Sequence, residues 1–78
     1  MSTATSAQMR KAANEAFGAR LREFRQARSL TQAEVGSIAG LNRQQVCEIE
    51  AGNRSMTATE LIAVSREYGA DITDWVKS

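Results

Sequence analysis

A run of four hydrogen-bonding side chains near the middle of the chain is the part of the sequence best suited to chemical recognition. The run consists of Asn42, Arg43, Gln44 and Gln45. Arginine can form two hydrogen bonds to a guanine edge, and glutamine can form two to an adenine edge. Cys47 and Glu48 follow within the same predicted helix. The run is therefore a candidate base-reading surface, although the outer face of a surface helix is also commonly polar.

The composition argues against catalysis and against metal binding. The 78 residues include no histidine and one cysteine, Cys47. Histidine is the commonest general base and metal ligand, and zinc sites of ordinary spacing need several His or Cys side chains. We therefore expect no enzymatic activity, metal, cofactor or small-molecule ligand.

The length and the single cysteine indicate one small domain in a reducing compartment. A chain this short buries only about 60% of the surface that its unfolded form exposes. A lone thiol without a secretory signal is typical of the cytoplasm. No apolar run approaches the roughly 18 residues of a membrane span, so we expect no membrane association.

Charge is distributed unevenly along the chain. Residues 1–47 carry seven Lys or Arg and three Glu, a net charge of +4, whereas residues 48–78 carry three cations and six acids, a net charge of −3. These charges could simply solvate helix faces. Alternatively, they predict a basic face for an anionic partner and an acidic face turned away from it.

Three capping motifs predict where helices begin. Each pairs a capping side chain with Glu or Gln three residues later, and the pairs are Thr31 with Glu34, Asn42 with Gln45, and Thr57 with Glu60. Such boxes satisfy backbone N–H groups that would otherwise lack acceptors. Gly40, Gly52 and Gly69 follow apolar-periodic segments and suit the position just after a helix.

The apolar periodicity and these signals predict an all-α domain of five helices. The predicted ranges are 15–28, 32–39, 43–51, 58–68 and 72–77, with a start near Gln8 as the alternative for the first helix. Residues 14–78 would form the domain, and residues 1–13 would be either a flexible arm or an extension of the first helix.

The second and third predicted helices form a helix-turn-helix unit. Only three or four residues separate them, so the helices must cross steeply while touching. Gly36 would allow close approach, and Gly40 suits the left-handed backbone of the turn. With Val46 and Ile49 buried, the opposite face of the third helix presents Arg43, Gln44, Cys47 and Glu48. Gln45 would either complete the capping box or point outward.

The stretch LTQAEVGSIAGLNRQQVCEIEAGNRS, residues 30–55, resembles the Cro/phage-repressor type of helix-turn-helix, the XRE family. The matching residues are Leu30, Thr31, Gln32, Glu34, Val35, Gly40, Leu41, Val46, Ile49, Glu50 and Gly52. The resemblance extends over about residues 15–77. It implies a compact five-helix, lambda-repressor-like DNA-binding domain that binds operator DNA as a two-fold dimer.

The resemblance also implies roles for individual residues. Base-reading roles fall on Arg43, Gln44, Gln45, Cys47 and Glu48. Phosphate-contacting roles fall on Thr31, Gln32, Asn42, Asn53 and Arg54. Gln32 would also brace the first reading residue, and Arg25 would form a partly buried salt bridge with Glu50.

Some of these roles have alternatives. Arg25 could instead be an ordinary surface residue. An acid at Glu48 would repel phosphate, so it would accept a hydrogen bond from cytosine or turn back to Arg54 or Arg43. Cys47 could contact a thymine methyl group, be a tolerated surface residue, or act as a redox switch. Gly36 stands where the family usually has alanine.

The apolar end of the chain is a candidate dimer interface. Ile72, Trp75 and Val76 could join two copies, or Trp75 could close the core of the monomer, or both.

The function implied is a sequence-specific regulator of transcription that binds double-stranded, palindromic operator DNA as a homodimer. We expect a stand-alone repressor, autoregulator or controller-type protein in the cytoplasm, encoded by a bacterium or phage and nucleoid-associated when bound. The alternative is a protein-interaction adaptor with the same fold and no sequence-specific DNA binding.

Overall fold

The computed structural model describes residues 5–69, which form four helices. These are α1 (Ser6–Ala27), α2 (Gln32–Ala39), α3 (Arg43–Glu50) and α4 (Ala58–Tyr68). No strand occurs among the described residues, so the all-α prediction is confirmed for this range. The count of five helices is not supported here: the predicted fifth helix, with Ile72, Trp75 and Val76, lies outside the described residues.

A capping box fixes the start of every helix. In the three boxes predicted from the sequence, each capping side chain accepts a hydrogen bond from the backbone N–H three residues later, and the Glu or Gln there accepts one in return. A fourth box, of Thr5 and Gln8, begins α1. Residues 6–13 are therefore part of α1, and every side chain from Thr5 to Ala13 is exposed.

The core lies where α1, α2, α3 and α4 meet. Its buried side chains are Leu21, Phe24, Val35, Leu41, Val46, Ile49 and Val64. The ring of Phe24 in α1 meets Tyr68 in α4 edge to face, with centroids 5.8 Å apart. No helix within residues 5–69 has the length and apolarity needed to cross a bilayer.

Two helical glycines allow α3 to lie close to its neighbours. A Cβ atom at Gly36 would lie 2.5 Å from the carbonyl oxygen of Leu41, so the predicted close approach at this position is confirmed. A Cβ atom at Gly18, in α1, would overlap the carbonyl oxygen of Ile49. Leu41 lies in the connection that leads into α3, and Cγ2 of Val46, in α3, would lie 3.2 Å from the Cβ atom at Gly36. Because the nearest atom in both cases is a backbone oxygen, which cannot move aside as a side-chain end can, neither position has room for a side chain while α3 keeps its place against α2 and α1.

Candidate nucleic-acid interface

A three-residue connection, Gly40 to Asn42, joins α2 to α3. Gly40 has a φ of 77°, in the left-handed region that glycine adopts without a Cβ penalty. The next N–H, of Leu41, donates to the carbonyl oxygen of Gly36 at 2.7 Å. Asn42 then begins α3. This short connection sets the steep crossing that a helix-turn-helix unit requires.

The two faces of α3 differ sharply in their exposure. Val46 and Ile49 are completely buried, whereas Arg43, Gln44 and Cys47 are exposed. Nothing in the described part of the chain covers this outer face, which begins at the first residue of the helix. A major-groove recognition helix presents its N-terminal residues in the same way.

Gln45 takes part in starting α3. Its Oε1 atom accepts a hydrogen bond from the Asn42 N–H at 3.0 Å, and its own N–H donates to Asn42 Oδ1 at 2.8 Å. The sequence left open whether Gln45 completes the capping box or points outward, and the structure shows it in the capping box. Each of the two side-chain amide oxygens already accepts one hydrogen bond within the protein, and the two NH₂ groups can donate to DNA.

Glu48 is half-buried and does not pair with the arginines suggested for it. Among the described residues, neither Arg43 nor Arg54 forms an ion pair with it. Arg54 instead directs Nη2 toward Glu60, with 3.8 Å between Nη2 and Oε2. The turning back of Glu48 toward Arg54 or Arg43 is therefore not seen.

The predicted phosphate-contacting residues lie at both ends of α3. Thr31, Gln32 and Asn42 are near its start, where Thr31 and Gln32 share an open hollow with Arg43. Asn53 and Arg54 follow its end, where the Asn53 N–H donates to the carbonyl oxygen of Glu48 at 2.9 Å. Thr31, Asn42 and Asn53 are exposed, and Gln32 and Arg54 are half-buried.

A three-helix cluster forms around Glu50, whose side chain is only 4% exposed. Arg25 donates to it from Nε at 2.7 Å and from Nη2 at 3.0 Å. The remaining Arg25 nitrogen, Nη1, donates to the carbonyl oxygen of Leu30 at 3.0 Å. The hydrogen bond with Glu50 raises the pKa of the Arg25 guanidinium above its ordinary value. The salt bridge implied by the family resemblance is thus present, and Arg25 is not an ordinary surface residue.

Gln32 joins this cluster. Its Nε2 donates to Glu50 Oε1 at 3.1 Å. The resemblance implied that Gln32 braces the first reading residue at the start of α3, and the structure shows it bracing Glu50 at the end of α3. The Glu50 carboxylate consequently holds together the end of α1, the start of α2 and the end of α3.

Three contacts near the interface were missed from the sequence. Gly18 packs on the end of α3, and Asn14 accepts a hydrogen bond from the Ser55 hydroxyl at 2.9 Å. Arg22 lies one turn before Arg25 and approaches Glu50 at 4.0 Å. The four-residue spacing from Gly18 to Arg22 puts both on one side of α1, but only knowledge of which side meets α3 would have singled them out.

A comparison with protein-family models supports the assignment of α2 and α3 as a helix-turn-helix unit. The model described as a helix-turn-helix domain matches residues 16–74, which include the second half of α1 and the whole of α2, α3 and α4. Neither the comparison with curated proteins nor the one with solved structures finds a match.

Proposed function

This chain belongs to the helix-turn-helix domain family, and from that membership we propose that it is a sequence-specific, double-stranded DNA-binding regulator of transcription. The observation that carries the proposal is the division of α3 into a buried apolar face and an exposed face that begins with Arg43 and Gln44. These two residue types are suited to reading guanine and adenine edges.

In the proposed complex α3 lies in the major groove. Arg43 and Gln44 contact base edges, and Cys47 borders the same groove surface. Thr31 and Asn42 hold the DNA backbone beside the start of α3, and Asn53 and Arg54 hold it beside the end. Gln32, whose side chain reaches Glu50, contacts the DNA backbone from the start of α2. Phosphate contacts at both ends of a reading helix fix its register without specifying sequence.

We further propose that the protein binds a palindromic operator as a homodimer. One eight-residue reading helix covers only a few base pairs, and a two-fold dimer would place two such helices about 34 Å apart, one turn of DNA. Ile72, Trp75 and Val76 remain the proposed dimer contacts. The XRE-type role as a cytoplasmic repressor, autoregulator or controller is proposed on the resemblance of residues 30–55.

The test is selection of binding sites from random duplex DNA by the purified full chain at near-physiological salt. The expected result is enrichment of a palindrome whose half-sites are centred about ten base pairs apart. A matched selection with Gln44→Ala should relax the preference at one position in each half-site.

Two results would contradict the proposal. If the wild-type chain enriches no sequence and binds all duplexes weakly, sequence-specific regulation is wrong and the adaptor alternative is favoured. If it enriches a single half-site without two-fold symmetry and remains monomeric by analytical ultracentrifugation, the homodimer is wrong while DNA reading stands.

A further inference from the structure

Arg22 lies beside α3, and its positive charge forms only one weak ion pair within the described residues. Its side chain is 62% exposed, and its Nε lies 4.0 Å from Glu50 Oε1, at the outer limit of an ion pair. The structure gives it no other ion pair within residues 5–69. An exposed pair at this distance contributes little to stability, because solvent screens the charges.

Glu50 is already satisfied without Arg22. Its carboxylate accepts two hydrogen bonds from Arg25 and a third from Gln32. The Arg25 guanidinium balances its charge at 2.7 Å. Two guanidinium groups therefore face one carboxylate, and the cluster carries a net charge of +1 that an external anion could balance.

This positive charge lies on the exposed side of α3. Arg22 lines a small hollow of about 110 Å³ with Gln32, Cys47, Glu50 and Ala51, which we call the Arg22 notch. Cys47 and Ala51 are exposed and lie one turn apart along α3. The notch therefore borders the outer face of α3 in its C-terminal half, away from Arg43 and Gln44 at its start.

We propose that Arg22 binds a phosphate group of the DNA backbone at the Arg22 notch. This inference rests on the proposed function and adds a contact from α1 that the family resemblance did not assign. A non-bridging phosphate oxygen accepts a hydrogen bond from the Arg22 guanidinium. Gln32, which also lines the notch and whose Nε2 has a second N–H, donates to the same phosphate.

A phosphate fits the notch better than a base edge does. Arg22 belongs to α1, and the notch is lined by Cys47, Glu50 and Ala51 from the C-terminal half of α3 and its cap, not by the residues at the start of α3. Guanidinium groups bind phosphate oxygens through charge-assisted hydrogen bonds, and backbone contacts require no particular base sequence. Arg22 should accordingly contribute affinity and salt dependence but no base preference.

The experiment measures binding of the full chain to its selected duplex across a series of salt concentrations. For Arg22→Gln we expect roughly tenfold weaker binding and a log–log salt slope that is shallower by about 0.9, as for the loss of one phosphate contact. Arg22→Lys should keep most of the slope because it keeps the charge. The sequence preference of both variants should equal that of the wild type.

Arg66→Gln is the matched control, since it removes one exposed positive charge from α4, a helix that packs on α2. If Arg66→Gln flattens the slope as much as Arg22→Gln does, net charge explains the effect and the proposal is wrong. An unchanged slope for Arg22→Gln, or a changed base preference, also overturns it. So does a large fall in melting temperature with an unchanged slope, because Arg22 would then act in folding.

If the proposed function itself is wrong, the results differ from those expected when only the Arg22 contact is wrong. In that case the wild-type chain itself selects no sequence, and Gln44→Ala has no effect on DNA binding. If the wild type selects an operator and Gln44→Ala alters its preference while Arg22→Gln binds with the wild-type slope, only the role of Arg22 is rejected.

Discussion

The Glu50 carboxylate at the end of α3 accepts two hydrogen bonds from the Arg25 guanidinium of α1, at 2.7 and 3.0 Å. The two residues are 25 positions apart in the chain, and both side chains are largely shielded from solvent, at 4% and 13% exposure. Their planar groups meet in the two-bond geometry that makes arginine–carboxylate pairs strong and directional. The pair therefore fixes the reading helix at the end opposite its base-contacting residues.

Breaking this pair should destabilise the fold. Arg25→Met should lower the free energy of unfolding by about 3–5 kcal/mol, because it leaves Glu50 buried without its cation. Urea denaturation at pH 7 measures the change. Arg22→Ala is the control and should cost less than about 1 kcal/mol, since Arg22 is largely exposed and Glu50 keeps its hydrogen bonds with Arg25. The double variant Arg25→Met/Glu50→Met should recover part of the loss, and no recovery would show that the buried charge is not its cause.

Gly18→Ala should also destabilise the protein. The informative result is whether the free energy of unfolding falls or rises. On an open helix face this substitution would stabilise by up to about 1 kcal/mol through helix propensity. Because the new methyl group would overlap the Ile49 carbonyl, we expect a net loss of about 1–3 kcal/mol from overpacking. A thermal melt distinguishes the two signs, and a higher melting temperature would contradict the close contact between α1 and α3.

Gln44→Ala and Arg54→Ala should affect DNA binding in different ways. Loss of Gln44 should change the preference at one base pair in each half-site by about 1–3 kcal/mol. Loss of Arg54 should weaken binding to all sequences alike and flatten the salt dependence. Competition binding with single-base operator variants at two salt concentrations separates these effects. Identical behaviour of the two variants would mean that their assigned roles are wrong.

The rate at which Cys47 is alkylated should show whether DNA covers the exposed face of α3. Its thiol is free and exposed, so iodoacetamide should modify the unbound protein readily. The operator duplex should slow this modification strongly, whereas an equal concentration of unrelated duplex should slow it much less at near-physiological salt. Cys47→Ser should retain operator binding and serve as the unreactive control. Equal protection by both duplexes would indicate that α3 does not lie closer to DNA in the specific complex.

Acid should weaken the start of α2 through Glu34. A backbone hydrogen bond from Thr31 lowers the pKa of Glu34 below its ordinary value. Since the folded pKa is the lower one, the stabilisation is present above the unfolded pKa and is lost as the pH falls through the folded pKa. Stability measured from pH 6 to pH 2 should therefore fall more for the wild type than for Glu34→Gln, which keeps an acceptor but cannot titrate. Parallel pH profiles would show that Glu34 does not contribute.

The starts of α2, α3 and α4 could be predicted because their signals are local, whereas the box of Thr5 and Gln8 that begins α1 was missed. A capping box links residues only three positions apart, so Thr31 with Glu34 and Asn42 with Gln45 specify where α2 and α3 begin. Glycine at position 40 specifies the turn between them, because its φ of 77° is strained for other residues. The outer face of α3 follows from helical periodicity once Val46 and Ile49 are assigned to the core.

The sequence by itself thus determined the starts of α2, α3 and α4, the turn and the polar face of α3, all of which depend on spacings within one or two helical turns. Only the tertiary structure decided that Gln32 braces Glu50, 18 positions away, and that Arg22 borders the reading helix. It also revealed that Gly18 is a packing contact. Such relationships depend on the rotation and distance of one helix relative to another. These are set by the packing of the whole core, so they cannot be read from the spacing of residues within one helix.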